Sequence, residues 1–285
     1  MTNQTLIASL LIGSTLAVVL GLIGRRFKQP NIASTIAFSL SVVLALPVLL
    51  GYWQEPQRLI APREAVEWLS VGLFGLAIVT AIRVADKKRS TVWLSLGGVL
   101  SILVALRLMY GSVYLRAGSV LTLSSLLIVG WGLTIGVAWI QPLVGNVPRR
   151  KLDGALQLIG LLIVSANLGM SGSFKYAAVG LLCTLIALSA WLAGQALPSL
   201  VASTSLLILG LGPTFSETQW SVAMLLGVMV LLFGWLPSLE KGRPRWAVAL
   251  AATLCLTIGS GLTIVKLRED ISGQSKEPTG YEAYR

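Results

Sequence analysis

Ten apolar runs, each close to the length of a membrane-spanning helix, follow one another along the chain. An α-helix of about 20 residues crosses the roughly 30 Å of a bilayer's hydrocarbon core, at about 1.5 Å per residue. We therefore predict an all-α, polytopic membrane helix bundle with ten transmembrane helices. The predicted spans are 5–24, 32–52, 65–84, 92–110, 120–140, 154–170, 176–196, 197–212, 220–236 and 246–265. They form a transmembrane domain, residues 1–265, followed by a polar C-terminal tail, residues 266–285.

The composition agrees with a membrane protein and argues against nucleic acid as a partner. Hydrophobic residues make up 55% of the chain and charged residues only 12%, against about 25% charged in soluble domains. The net charge of +11 would suggest nucleic acid if the cations formed a basic face on a folded soluble domain. Here they occupy short loops between apolar runs, so we expect a lipid bilayer, and no nucleic acid, as the partner.

The distribution of these cations predicts the orientation. With ten alternating crossings, every second loop lies on the same side. Three cations follow each of the first, third, fifth and ninth runs, twelve in all, whereas the loops of the other side contain four. Because cytoplasmic loops have an excess of Lys and Arg, the side with twelve cations is predicted to be cytoplasmic and both termini non-cytoplasmic. We expect an integral protein of a bacterial cytoplasmic (inner) membrane.

The run at 197–212 is the weakest of the ten, because it is short and lies between Pro198 and Pro213. A re-entrant segment is the alternative interpretation. It would reverse the next span and move the cations at 241–245 to the non-cytoplasmic side, so we predict a spanning helix.

Around the central loop, residues 141–153, five runs lie on each side, and a duplication of five spans would be inverted, as in several transporter folds. The two halves, however, do not align.

Small residues recur at every fourth position in three of the predicted helices. Such stripes allow helix backbones to approach closely, and close packing is what holds a helical bundle together in lipid. An alternative is that these faces, together with Tyr281 and Tyr284 of the tail, bind other membrane subunits. The stripes are Ser9, Gly13, Ala17 and Gly21; Gly97, Ser101 and Ala105; and Ala247, Ala251, Cys255 and Gly259.

The absence of histidine excludes most catalytic chemistry. With no histidine in the chain, histidine-based triads, histidine-ligated haem and most metal sites are excluded. The segment Gly169-Met170-Ser171-Gly172 spells the GxSG that surrounds the serine of rhomboid-type intramembrane proteases, but those proteases need a histidine partner. We interpret the segment as a flexible turn at the end of the sixth span. No phosphate-binding loop or dinucleotide motif occurs, so we expect neither an enzyme nor a bound cofactor or metal.

Three polar side chains inside the predicted spans are candidates for contact with a solute or a lipid headgroup: Arg107, Glu67 and Asn167. Arg107 lies about 4.5 Å along the helix axis from Tyr110, so its side chain can extend to the membrane surface. The alternative is that Arg107 faces the bundle, pairs with Glu67 at a similar depth, and presents a cation to an anionic ligand. The four non-cytoplasmic glutamates are interpreted as solvated loop or helix-end charges.

Two functions follow from these observations. The number of helices and the glycine content favour a permease for a small or lipophilic solute, whereas the apolar midplane argues against one. A non-catalytic structural subunit or scaffold of a membrane complex needs no polar pathway, and this is the alternative. We expect transport, because many helices with abundant glycine are typical of carriers.

Overall fold

The computed structural model describes residues 3–24, 30–52, 62, 64–85, 90–109, 151–172, 174–193, 201–215, 220–235 and 243–274. The regular elements within these ranges are all α-helices, so the all-α prediction is confirmed for this part of the chain. In chain order the helices are α1 (Asn3–Gly24), α2 (Pro30–Leu50), α3 (Ala65–Ala85), α4 (Ser90–Met109), α5 (Lys151–Met170), α6 (Phe174–Leu192), α7 (Val201–Phe215), α8 (Trp220–Trp235) and α9 (Arg243–Gln274).

Each described helix overlaps one of the predicted runs, and most bounds differ by one to four residues. Two differences matter more. The weak run at 197–212 is a helix shifted to Val201–Phe215. The last helix continues past residue 265 to Gln274, because Leu267, Arg268 and Glu269 favour the helical conformation despite their polar surroundings. The predicted span at 120–140 and the tyrosines of the tail lie outside the described residues.

Three of the described helices are long and apolar enough to cross a membrane, judged by length and composition: Asn3–Ile23, Phe174–Leu192 and Arg245–Glu269. Five further apolar helical stretches are shorter: Ile36–Leu50, Val66–Val79, Thr91–Val104, Ala155–Met170 and Ser221–Phe233. These helices identify the described part of the chain as a helical bundle with candidate membrane spans.

Helix α6 joins the first and second halves of the chain into one core. It packs against α1 and α2 from the first half and against α5 and α7 from the second. Helix α7 in turn contacts α4, α5, α6 and α8, and the side chains described between Val201 and Leu211 are buried. Because an apolar helix that is buried on all sides belongs to the interior of a bundle, α7 is an inner helix. The central loop therefore does not separate two independent bundles.

Glycine permits the closest helix contacts. Gly13 on α1 lies against Ile186 of α6, where a Cβ atom would come within 2.7 Å of the Ile186 side chain. At the α5–α6 crossing, a Cβ atom on Gly180 would lie 2.2 Å from Ser165 Oγ. The α1 stripe predicted from the sequence is buried in the chain's own packing, with Ser9 and Ala17 fully covered. This confirms the close-packing interpretation for α1.

The helices run alternately between two ends of the bundle. Glu64, just before α3, bonds to Tyr52 after α2 and to Lys175 in the first turn of α6, so these helix ends share one end of the bundle, which we call the Glu64 face. Helix α4 finishes there, since Arg107 lies over the Trp68 ring. Only three residues separate α5 from α6, and Ser171 and Gly172 form a turn there. This places the end of α5 at the Glu64 face and its start at the opposite face.

The first and last described helices fit this alternation. Only five residues separate α1 from α2, so the two helix ends are at most about 22 Å apart. That is shorter than either helix, so the two helices are antiparallel and α1 begins at the Glu64 face. Helix α9 places Ser260 beside Asn167, near the end of α5, and then continues to Gln274. It therefore projects about 16 Å beyond the end of α5.

Candidate functional site

A cluster of polar and aromatic side chains gathers at the Glu64 face. We call Tyr52, Glu64, Trp68, Arg107 and Lys175 the Glu64 cluster. The Tyr52 hydroxyl donates to Glu64 Oε1 at 2.5 Å, and Lys175 Nζ forms an ion pair with Glu64 Oε2. The cluster therefore joins the end of α2, the start of α3 and the start of α6.

Glu67 has a local structural role at the start of α3. Its carboxylate accepts a hydrogen bond from the Glu64 backbone N–H at 3.1 Å, while the Glu67 N–H donates to the Glu64 carbonyl at 3.1 Å. Glu64 thus occupies the position before the first helical turn, and Glu67 reaches back to it, as in a capping box. Glu67 is only 7% exposed, and this bond offsets part of the cost of burying its carboxylate.

Arg107 lies over the ring of Trp68, with Cζ 4.5 Å from the ring centroid. A guanidinium at this distance from an indole forms a cation–π contact. The arginine is exposed, and it follows Val92, Leu96, Val99 and Leu103, exposed residues on the same side of α4. Arg107 therefore lies at the end of an outward-facing apolar stripe. It contacts Trp68, the residue after Glu67 in the chain.

The Glu64 cluster fastens helix ends rather than enclosing a ligand. Glu64 and Lys175 are each about two-fifths exposed, and such pairs contribute at most about 1 kcal/mol. Glu64 is one of the four glutamates, and Lys175 one of the four loop cations, that the sequence predicted on the non-cytoplasmic side, but their pairing was not predicted. Their opposite charges in two loops of the same side, with Tyr52 at the end of the preceding span, were the available signal.

Asn167 is more completely buried than Glu64 and Lys175, and it belongs to a different group. It is only 2% exposed. Its side-chain nitrogen donates to the Ile163 carbonyl of the preceding turn at 2.9 Å and lies 3.4 Å from Ser260 Oγ on α9. Its carbonyl oxygen, Oδ1, meets no hydrogen-bond donor in the described part of the chain. The described hydrogen bonds of the Asn167 side chain are thus within α5 and with α9.

Gln157, ten residues earlier on α5, is also a buried amide with an oxygen unpartnered among the described residues. It is 5% exposed, and that side-chain oxygen, Oε1, is also buried. Gln157 was not among the candidates selected from the sequence, although it is an amide within the predicted span 154–170. In the structure it shares a face of α5 with the fully buried Leu161 and Leu168, so it is directed inward.

The buried hydroxyl groups nearby, by contrast, are satisfied within their own helices. Ser165 donates to the Leu161 carbonyl, Thr184 to the Gly180 carbonyl and Ser205 to the Val201 carbonyl, each at 2.8 Å. A hydroxyl that bonds to the carbonyl one turn earlier has no need of a ligand. The two amide oxygens of α5 differ from these hydroxyls, since each retains acceptor capacity in the interior. The buried hydroxyls of Ser39 and Ser41 on α2 also have no partner among the described residues.

The turn that follows Asn167 explains the GxSG sequence. Gly172 has a φ of 77°, a left-handed conformation that glycine adopts without strain. The backbone N–H of Gly172 donates to the backbone carbonyl of Gly169. The Ser171 hydroxyl donates to the backbone carbonyl of Asn167 at 2.9 Å. The prediction of a turn is confirmed, and Ser171 is part of a helix ending.

The described part of the chain therefore offers a peripheral charged cluster, two buried amide acceptors on α5, and the buried hydroxyls of Ser39 and Ser41 on α2. The acceptors can receive hydrogen bonds from a small molecule, and they supply neither a nucleophile nor a proton donor. No protein-family model, curated protein or solved structure matches the chain.

Proposed function

We propose that this protein is a multi-pass membrane permease for a small solute. The proposal is supported by two buried amides, Gln157 and Asn167, on α5. Helix α5 packs against the inner helix α7. A buried polar group inside a membrane bundle is costly and is retained where it serves a solute or ion pathway. Gln157 and Asn167 lie on either side of the centre of the predicted span 154–170, and both amides are buried in the bundle.

The proposed topology has ten crossings, with the Glu64 face outside the cytoplasm. Helix α4 ends at the Glu64 face and α5 begins at the opposite face, as a span at 120–140 would require. Both α1 and α9 have their outer ends at the Glu64 face, which agrees with two non-cytoplasmic termini. Lys151 at the start of α5 and Arg243 at the start of α9 are then cytoplasmic, as the positive-inside bias expects.

The alternative, a non-catalytic subunit of a membrane complex, is supported by α9. This helix contacts α8 and α5 along one side, and Trp246 near its start is 79% exposed. Its projecting end carries exposed Ile264, Val265 and Ile271. A second membrane subunit could pack against this helix, whereas lipid alone would cover only the part that lies within the bilayer.

Solute flux into proteoliposomes tests the permease. The full chain is reconstituted into vesicles, which are mixed with isosmotic solutions of urea, glycerol, formate, methylammonium or a lipophilic dye, and entry is followed by light scattering or fluorescence. At least one solute should enter faster than into vesicles that contain an unrelated multi-pass protein. Equal rates for every solute would contradict the permease, and stoichiometric copurification of another membrane protein would then favour the alternative.

A further inference from the structure

We propose that the transported solute is a small uncharged molecule that donates hydrogen bonds, such as urea or a polyol, and that it is received by Gln157 Oε1 and Asn167 Oδ1. The inference rests on the permease proposed above and specifies its substrate class. Both oxygens are buried and without a donor in the described residues. A buried acceptor left without a donor costs about 1–3 kcal/mol, so a molecule that supplies a donor is stabilised there.

The bonds that Asn167 already makes define what it can accept. Its amide nitrogen is directed to the Ile163 carbonyl at 2.9 Å, and exchanging the nitrogen and oxygen positions would place two carbonyl oxygens against each other. The side-chain oxygen is therefore the atom that remains available, and an oxygen accepts but cannot donate. A ligand at this position must bring an N–H or O–H group.

The lack of charge between the two acceptors favours a neutral ligand. In the described spans the charged residues lie towards the helix ends: Glu67 in the first turn of α3, Arg107 in the last turn of α4, and Asp153 in the first turn of α5, one turn before Gln157. Taking an ion out of water costs several kcal/mol even after the protein relaxes, and two amide oxygens do not offset that cost. A neutral molecule with one or more donors loses far less on leaving water.

The two acceptors lie on the inner side of α5. With about 100° of rotation per residue, Gln157 falls between the side of α5 that carries Gly160, against α8, and the side that carries Ser165, against α6. Helix α7 packs on all three of these helices, so Gln157 is directed toward α7. Asn167 lies on the Gly160 side, near α9.

The acceptors mark two positions on one route. Ten residues of helix separate them, or about 15 Å, which is half of the hydrocarbon thickness. Gly160 lies between them, and a Cβ atom there would be 3.5 Å from Phe233 and 3.8 Å from Met229 Cε. These are ordinary contacts, so Gly160→Ala fits the folded packing while it narrows the space between the two acceptors.

The experiment measures urea and glycerol entry into proteoliposomes that contain the full-length chain or one of four variants, together with the thermal unfolding midpoint of each. Gln157→Leu and Asn167→Leu remove an acceptor and keep an apolar shape, and Gly160→Ala narrows the route. Thr184→Val is the matched control, because its buried hydroxyl already donates to the Gly180 carbonyl. Formate and methylammonium serve as charged probes of similar size.

We expect each leucine variant to lower urea entry by about tenfold, as the loss of one buried hydrogen bond implies. Gly160→Ala should lower it several-fold with an unchanged unfolding midpoint, and it remains informative if a leucine variant does not fold. Thr184→Val should leave entry unchanged. Formate and methylammonium should not enter faster than into control vesicles.

Two results would overturn the inference and leave the permease standing. One is faster entry of a charged probe without faster entry of urea or glycerol. The other is unchanged urea entry in both leucine variants with a raised unfolding midpoint, which would show that the acceptors are empty in the native protein. Entry of none of the probes, including the lipophilic dye, would instead contradict the permease itself.

Discussion

The amide nitrogen of Asn167 lies 3.4 Å from the hydroxyl oxygen of Ser260, although 93 positions separate the two residues in the chain. The contact joins α5, near the Glu64 face, to the middle of α9. It also shows that Asn167 is directed toward another helix, because the exposed side of α5 carries Ile159 and Leu162 instead. A lipid-facing position for Asn167 is thus excluded.

Ser260→Ala should have a small effect on stability. The Asn167 nitrogen keeps its bond to the Ile163 carbonyl, and the contact with Ser260 is long for a hydrogen bond. We expect a loss of less than about 1 kcal/mol in the free energy of unfolding, measured by chemical denaturation in detergent. A loss above about 3 kcal/mol would mean that Ser260 has a second, stronger role.

Gly180→Ala should destabilise the crossing of α5 and α6 by about 1–3 kcal/mol, the usual cost of overpacking. The new methyl group would lie 2.2 Å from Ser165 Oγ and 3.0 Å from Ser165 Cβ, so the helices must move apart. Combining it with Ser165→Gly removes both atoms and should recover part of the loss. The unfolding midpoints of the two single variants and the double variant test this, and no recovery in the double variant would contradict the close approach.

The capping role of Glu67 predicts a difference between two substitutions. Glu67→Gln keeps an oxygen that accepts from the Glu64 backbone N–H, whereas Glu67→Ala removes it. We expect the alanine variant to lose about 0.5–2 kcal/mol of stability, the range found for helix caps, and the glutamine variant to lose less. If both variants lose the same amount, the charge of Glu67 matters more than its hydrogen bond.

The ion pair of Glu64 and Lys175 should contribute little on its own. A double-mutant cycle with Glu64→Gln and Lys175→Gln is expected to give a coupling energy of at most about 1 kcal/mol, because both side chains are partly exposed. The coupling should weaken further in high salt. A coupling of several kcal/mol that persists in salt would show that the pair is shielded from water.

The sequence predicted the helical class and the approximate helix positions because hydrophobic length is a local property of the chain. The run at 197–212 shows the limit of this reasoning. Its shortness suggested a weak span. In the structure the helix is Val201–Phe215, and its described side chains from Val201 to Leu211 are buried by neighbouring helices. Which helices surround it depends on tertiary packing, which hydropathy does not contain.

The candidate site was predicted less well. Glu67 and Arg107 were expected at a similar depth, and the structure places Arg107 over the ring of Trp68, the residue after Glu67. Asn167 belongs to a separate group, because its side chain contacts Ser260 of α9. Gln157 was not selected, although it is an amide near the start of the predicted span 154–170. Whether an amide near the end of a span faces lipid, water or a neighbouring helix depends on the rotation of that helix within the bundle, and this rotation is set by contacts such as Gly180 against Ser165.

The proposed membrane orientation can be tested with single cysteines. In a chain with Cys183 and Cys255 replaced by alanine, Ser171→Cys places a thiol in the turn at the Glu64 face, and Ser90→Cys places one at the start of α4, on the opposite face. With a membrane-impermeant maleimide added to intact cells, Ser171→Cys should be labelled, whereas Ser90→Cys should be labelled only after permeabilisation. Labelling of both thiols from one side, or the reverse pattern, would contradict the proposed arrangement.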